Sequence, residues 1–226
     1  VYKRQHFFHV SDDNTFIVLN INRNSLRKDI ARTILAFSEF RQMVPNSILY
    51  LHMLLQDGGA SGHVVDLTTP IEEVGLTLGK DVFVPAKYNP ASGFPVEVLN
   101  LLYNCGDLFL TTHLGEGWGL SCTEAMACGI PMVAPNNTSM PEILGEDGDR
   151  GYIYPCREKV YVDNSGYRPV GHLHEILQAM KRAHNDWCLR RAGEGPQEAI
   201  LARARKFVEQ YSWKNVCADW VTLFDE

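Results

Sequence analysis

Two acids and three glycines in one short stretch are the residues of this chain best suited to do chemistry. Glu116 and Glu124 stand eight positions apart, and the run His113-Leu114-Gly115-Glu116-Gly117-Trp118-Gly119-Leu120 leads from one toward the other. Gly115, Gly117 and Gly119 let the backbone approach a bound group closely. If a helix follows, its free N–H groups and positive dipole end face that group, which suits an anion such as a diphosphate. An ionised carboxylate accepts two hydrogen bonds, so each acid could hold the vicinal diol of a ribose or a hexose. Plainer readings stand beside these. Ser121-x-x-Glu124 has the spacing of a capping box, and Glu116 could be a solvated loop acid. The turn has neither the GxGxxG of a dinucleotide site nor a Walker sequence.

The elements that must position these residues follow from apolar periodicity. Short β-branched or apolar runs predict strands at Phe16–Ile21, Ser47–Leu54, Asp81–Val84, Asp107–Thr111, Ile130–Ala134 and Gly151–Tyr154. Helices are expected between them. One runs over Leu26–Met43, capped by Ser25, with Ile30, Ile34, Leu35 and Phe37 on its apolar side. Others begin near Pro70 and Pro95, and one runs from Leu120 to Cys128, closed by Gly129. The segment from Pro155 to Pro169 reads as irregular. Helices return at His172–Asp186, Gly195–Gln210 and Trp213–Phe224. Alternating strands and helices predict one α/β domain, a Rossmann-like parallel sheet with helices on both faces. Such sheets bind ligands at the carboxyl ends of their strands, where the turn after Asp107–Thr111 lies.

Composition narrows the class. The 226 residues carry a net charge of −6, so no basic footprint supports nucleic-acid binding. None of the six cysteines forms a CxxC pair or has zinc-ligand spacing, so they read as buried small hydrophobes in a reducing compartment. No apolar run reaches the ~20 residues of a membrane span. Asp147-Gly148-Asp149 reads as an acidic turn rather than a metal site. The chain opens on Val1, and Val1–Gln5 (VYKRQ) can be encoded by the end of a transposon-based sequencing adaptor. Residues 1–5 are therefore expected to be foreign, within a leader over 1–15, with the domain over 16–226.

The run EGWGLSCTEAMACGIPMVAP, Glu116 to Pro135, resembles the signature of family-4 retaining glycosyltransferases, which have the GT-B fold. The resemblance implies that Glu116 contacts the donor sugar and Glu124 the ribose, with Gly117, Trp118, Gly119, Leu120 and His113 around the donor. The family also carries an Arg and a Lys after the first strand, both on the diphosphate; Arg23 and Lys28 match that spacing. Asn22 replaces a usual Gly there, Asp29 a frequent one, and Arg27 is a possible stand-in for Lys28. As plain helix-start cations these would oppose the helix dipole, which an anionic ligand would relieve. The resemblance runs from about Phe16 through Pro141-Glu142-Ile143-Leu144, Gly151-Tyr152-Ile153 and Tyr211-Ser212-Trp213, while 159–169 matches no known feature.

What the resemblance implies is the C-terminal, nucleotide-sugar-binding domain of a GT-B enzyme. Glu116, Arg23 and Lys28 are its expected catalytic residues, with no metal and no cofactor. The partners are a nucleotide sugar, an acceptor that is a glycan, lipid or small molecule, and a missing N-terminal domain toward which the last helix crosses. The fragment alone is expected to turn over poorly. The expected location is the cytoplasm, with any membrane association residing in the missing half. Rival readings are a non-catalytic nucleotide-sugar-binding module, a GT-B epimerase or phosphorylase, and an NAD-dependent enzyme. The missing Schiff-base lysine motif weighs against a phosphorylase, and the missing GxGxxG against NAD.

Overall fold

A computed structural model describes residues 2–8, 10, 14–58, 64–162 and 166–225. In chain order its helices are α1 (Tyr2–Phe8), α2 (Ile30–Met43), α3 (Thr68–Glu73), α4 (Val96–Tyr103), α5 (Leu120–Ala127), α6 (Met140–Leu144), α7 (Leu173–Arg191), α8 (Gln197–Glu209) and α9 (Trp213–Asp225). Its strands are β1 (Phe16–Ile21), β2 (Ser47–His52), β3 (Gln56–Asp57), β4 (Val65–Asp66), β5 (Val82–Phe83), β6 (Leu108–Leu110), β7 (Met132–Pro135), β8 (Tyr152–Tyr154), β9 (Glu158–Val162) and β10 (Gly166–Val170). Among the described residues no helix is long and apolar enough to cross a membrane. His63 and loop residues 59–62 lie outside the described residues.

The six predicted strands form one parallel sheet in the order β5-β2-β1-β6-β7-β8. The order turns outward in both directions from β1 and β6, the doubly wound arrangement whose ligand crevice opens between those two strands. Alternation along β1 explains its unbroken apolar run. Phe16 and Val18 face a core with Ile34, Phe37 and Phe40 of α2 and Ile176, Met180 and Trp187 of α7. Ile17, Leu19 and Ile21 face a second core with Leu102 and Tyr103 of α4, Met126 of α5 and Ala204 and Val208 of α8. Covered on both faces, the strand needs no polar side.

Several expectations are corrected. The helix expected over Leu26–Met43 is broken: Leu26–Lys28 is a 3-10 turn and Asp29, at φ 47°, separates it from α2. Ser25 makes no side-chain cap bond there, and Leu35 is exposed rather than apolar-side. The segment expected to be irregular contains an antiparallel hairpin, β9 paired with β10. α7 continues one turn past Asp186 to Arg191. Within the stretch 1–15 expected to be a leader, whose first five residues were set aside, Tyr2–Phe8 form α1. There Phe8 is buried, and Arg4 donates to Asp107 Oδ1 at 2.6 Å and to the Thr15 carbonyl at 3.0 Å. Cys105 and Cys122 are buried as expected, but Cys188 and Cys217 are exposed. On α9, Trp213, Trp220, Val221 and Phe224 are exposed. Residues 145–150 do form a turn, in which Gly148 N–H donates to the Gly145 carbonyl.

Candidate donor site

The crevice between β1 and β6 is built by the loops that leave their carboxyl ends. Asn20, buried at the end of β1, donates to Thr33 Oγ1 of α2 at 3.0 Å. Thr33 Oγ1 pairs with Thr112 Oγ1 at 2.7 Å, and Thr112 reaches the Asp29 carbonyl at 2.8 Å. Leu114 N–H donates to the Arg27 carbonyl at 2.8 Å. This chain of bonds ties the 22–29 loop to the 111–116 loop. The two departures from the family pattern have local uses. Asn22 donates to Asn20 Oδ1 at 2.8 Å and accepts from Lys28 Nζ at 2.6 Å. Asp29 takes the left-handed conformation that a Gly would adopt more readily, and accepts from Arg32 Nε at 2.7 Å.

The result is a charge cluster. Glu116 Oε1 lies 2.9 Å from Arg27 Nη1 and in direct contact with Lys28 Nζ. Arg27 also donates to the Gly115 carbonyl. Burial pushes the Glu116 carboxyl up, but the hydrogen bonds from Lys28 and Arg27 outweigh it and hold the group below its ordinary value. Glu116 is therefore not a solvated loop acid. Arg23 does not join the cluster. It forks onto Asp57 of β3 at 2.9 and 3.1 Å and stays largely exposed. With Asp57 and Tyr88 it lines a cavity of about 310 Å³. Arg27, the possible stand-in for Lys28, instead joins Lys28 on Glu116.

The glycines of the turn differ in what they allow. Gly119 precedes α5 at φ 98°, where a Cβ would meet Met140 Cε at 3.0 Å, so only Gly fits. A Cβ on Gly115 would lie 3.2 Å from Thr138 Cγ2. A Cβ on Gly117 would meet nothing within 4 Å, so the backbone there borders open space. Thr138 accepts from the Glu116 N–H at 2.9 Å, and Asn137 donates to the His113 carbonyl at 3.1 Å. The loop after β7 thus braces the turn.

Glu124 makes no capping box. The helix starts after Gly119 without a side-chain cap bond, which places Ser121 inside α5. Glu124 Oε2 instead accepts from Tyr103 O–H of α4 at 2.7 Å. Its neighbours Trp118 and Leu120 line, with Tyr211 and Trp213, an apolar cavity of about 730 Å³. The Trp118 ring lies 4.6 Å from that of Tyr211. Among the described residues no bond joins Glu124 to Glu116. The thiol of Cys122 is buried, and burial pushes it up to about 12; Lys28 opposes that rise, and both acids add to it. His113 is 1% exposed, and neither ring nitrogen finds a partner among the described residues. Burial lowers it to about 4, so it is neutral at pH 7.

A third cavity, of about 700 Å³, opens beyond β2 and β5 and is lined by Met53, Val84, Lys87, Tyr88 and Phe94. His52 borders it, its ring 5.0 Å from Tyr88 and 4.5 Å from Phe94. Flat aromatic walls of this kind suit a planar ring. Among the described residues no group of acids, histidines and cysteines could hold a metal ion. Sequence reasoning missed Tyr103 and Thr138, whose roles depend on contacts across the fold. Asn22 was visible only as a departure from a pattern.

Residues 92–163 match the family described as "Glycosyl transferases group 1". The chain is 44% identical over 130 residues to the O-antigen chain mannosyltransferase B of Escherichia coli, covering 58% of this chain and 28% of that protein. It is 27% identical over 164 residues to the MMP alpha-(1->4)-mannosyltransferase of Mycolicibacterium hassiacum, covering 72% of this chain and 35% of the relative. The chain thus spans about a third of the length of these curated relatives. Among solved structures, sucrose-phosphate synthase from Thermosynechococcus elongatus superposes with a TM-score of 0.72 at 18% identity, over 100% of this chain and 48% of that one. The pneumococcal O-GlcNAc transferase GtfA in complex with UDP and GlcNAc gives 0.61 at 18%, over 94% and 36%. At such identities the structures establish a shared fold, the Rossmann-like half of GT-B glycosyltransferases.

Proposed function

We propose, from the premise that residues 92–163 are a glycosyl transferases group 1 segment, that this chain is the nucleotide-sugar-binding domain of a family-4 retaining glycosyltransferase. It would form the C-terminal half of a GT-B enzyme, with the acceptor bound mainly by a preceding domain. The observation that carries the reading is the convergence of Arg27 and Lys28 on Glu116 at the β1–β6 crevice. Breaking a sugar–phosphate bond leaves positive charge on the sugar and negative charge on the departing diphosphate. Lys28, Arg27 and the N-terminus of α5 stabilise the second, which is electrostatic catalysis. Charge-assisted hydrogen bonds contribute roughly 1.5–3 kcal/mol each, so two cations supply a rate factor on the order of 10² or more. Glu116 orients the donor sugar and takes no covalent bond. Glu124, held by Tyr103, takes the ribose diol. Arg23 lines a smaller cavity that shares Met53, Leu54 and Tyr88 with the aromatic-walled cavity that receives the base. The mannosyl transfer named for both curated relatives supports a mannosyl donor.

The test is release of nucleoside diphosphate when the chain is incubated with GDP-mannose or UDP-glucose. The anomer of the freed sugar is followed by NMR before mutarotation. Slow release with the donor's own anomeric configuration is expected. An inverted product, or a product epimerised at a ring carbon, would exclude the retaining-transferase reading.

A further inference from the structure

The hairpin β9–β10 leaves the carboxyl end of β8, the same edge of the sheet that carries the loops after β1 and β6. Its register pairs Tyr161 with Tyr167, Val160 with Arg168 and Glu158 with Val170. Side chains alternate along a strand, so the tyrosines share one face and Arg168 shares the other with Val170. The tyrosine face is open to solvent, whereas Val170 is buried. The Arg168 face therefore lies on the body of the domain. There Arg168 Nη1 stands 3.9 Å from the position a Cβ on Gly115 would take. Arg27 donates to the carbonyl of that same Gly115. Two guanidinium groups thus flank the residue that precedes Glu116.

Their partners differ. Arg27 and Lys28 have Glu116 as counter-charge. Arg168 has no ion pair among the described residues, and its Nε is buried without a hydrogen-bond acceptor there. A buried guanidinium N–H with no acceptor is unfavourable, because its lost hydration is not replaced. Three cations around Gly115 against the single carboxylate of Glu116 leave an excess of positive charge, which a diphosphate matches. The planar fork of a guanidinium also fits two phosphate oxygens at once.

We propose that Arg168 is a third cation of this site, carried in by the β9–β10 hairpin, and that it binds an oxyanion of the donor's diphosphate. The proposal rests on the nucleotide-sugar reading above. It is not inherited from the family segment, since Arg168 lies beyond residue 163. It gives the hairpin, which matched no known feature of the sequence, a role in donor affinity.

The experiment is calorimetric titration of GDP, UDP, ADP and inorganic pyrophosphate into the wild-type chain, Arg168→Gln, Arg168→Lys and Arg157→Gln. Arg157 lies just before the same hairpin and is exposed, near Glu175. Arg168→Gln should weaken both pyrophosphate and the preferred nucleotide by about 10-fold or more, the loss of one charge-assisted contact. Arg168→Lys should recover part of the affinity, and Arg157→Gln should match wild type. Without ligand the Tm of Arg168→Gln should be unchanged or raised, because the side chain makes no hydrogen bond or ion pair among the described residues. Unchanged affinity in Arg168→Gln, or a lowered ligand-free Tm with affinity intact, would overturn the proposal. So would weakening of the preferred nucleotide without weakening of pyrophosphate. If wild type binds none of the four probes, the donor-site reading itself fails and this proposal falls with it.

Discussion

Replacing Glu116 with Gln should destabilise the free chain yet increase its response to a nucleoside diphosphate. The side chains of Glu116 and Lys28 are 10% and 13% exposed, so their contact counts nearly in full. Arg27 is 44% exposed, and its pair with Glu116 is discounted for solvent screening. The amide of Gln can still accept one hydrogen bond but carries no charge, leaving Arg27 and Lys28 side by side without a counter-ion. The net loss is about 2 kcal/mol, which for a domain of this size lowers the Tm by about 4–8 °C. A bound diphosphate restores negative charge to the two cations, so saturating nucleotide should cut the deficit to less than half. The assay is thermal denaturation of both proteins with and without the nucleoside diphosphate that stabilises wild type best. Equal deficits in the two conditions would refute the idea that ligand and Glu116 share these cations.

Gly117→Ala should leave the ligand-free Tm nearly unchanged, because a Cβ there meets nothing within 4 Å. It should weaken nucleotide-sugar binding several-fold in calorimetry if that space is the donor's. Arg4→Ala should destabilise the fold by about 3 kcal/mol in urea denaturation. It removes the guanidinium from Asp107, whose buried carboxylate would keep, among the described residues, Trp187 Nε1 and the Ile17 N–H as donors. Acid should weaken the domain in two stages. His52 and His113 are both lowered by burial to about 4, so the unfolded chain binds more protons between roughly pH 6.5 and 4, and stability falls as pH falls through that window. The Glu116 carboxyl is held below its ordinary value near 4.5, so its contribution is fully present above that pH and is lost only further down. Urea denaturation across pH 3–8 checks both stages, and His113→Gln should flatten the first.

Most of the fold was legible because each strand of a doubly covered sheet must be apolar on both sides, so FIVLNI and SILYLH stand out from polar surroundings. The hairpin at 158–170 was not, because its strands are mostly half-exposed and Gly166 and Pro169 disguise the second one. The broken start of α2 was hidden for a related reason. Asp29 takes a conformation its residue type does not advertise, and it is held there by Thr112, far along the chain. In the candidate site, the resemblance singled out Glu116 and Lys28 separately, and the structure brings the two into contact. The match to the family's pattern gave Arg23 the place of its Arg and left Arg27 as a possible stand-in for Lys28. In the structure Asp57 holds Arg23, while the Gly115 carbonyl and Glu116 hold Arg27 beside Lys28. The opposite error concerned Ser121 and Glu124. Their capping-box spacing is real, but the helix begins two residues earlier than that motif requires, and Tyr103 takes the acid instead.

Whether the β1–β6 crevice holds a nucleoside diphosphate is tested most directly by a metal-free thermal-shift titration with UDP, GDP, ADP and NAD. It would be run on wild type, Arg27→Ala and Glu124→Ala. Saturable stabilisation by one of the three nucleoside diphosphates, lost or strongly reduced in both variants, is the predicted result. Stabilisation by NAD alone, or a nucleotide response undiminished in both variants, would contradict the assignment.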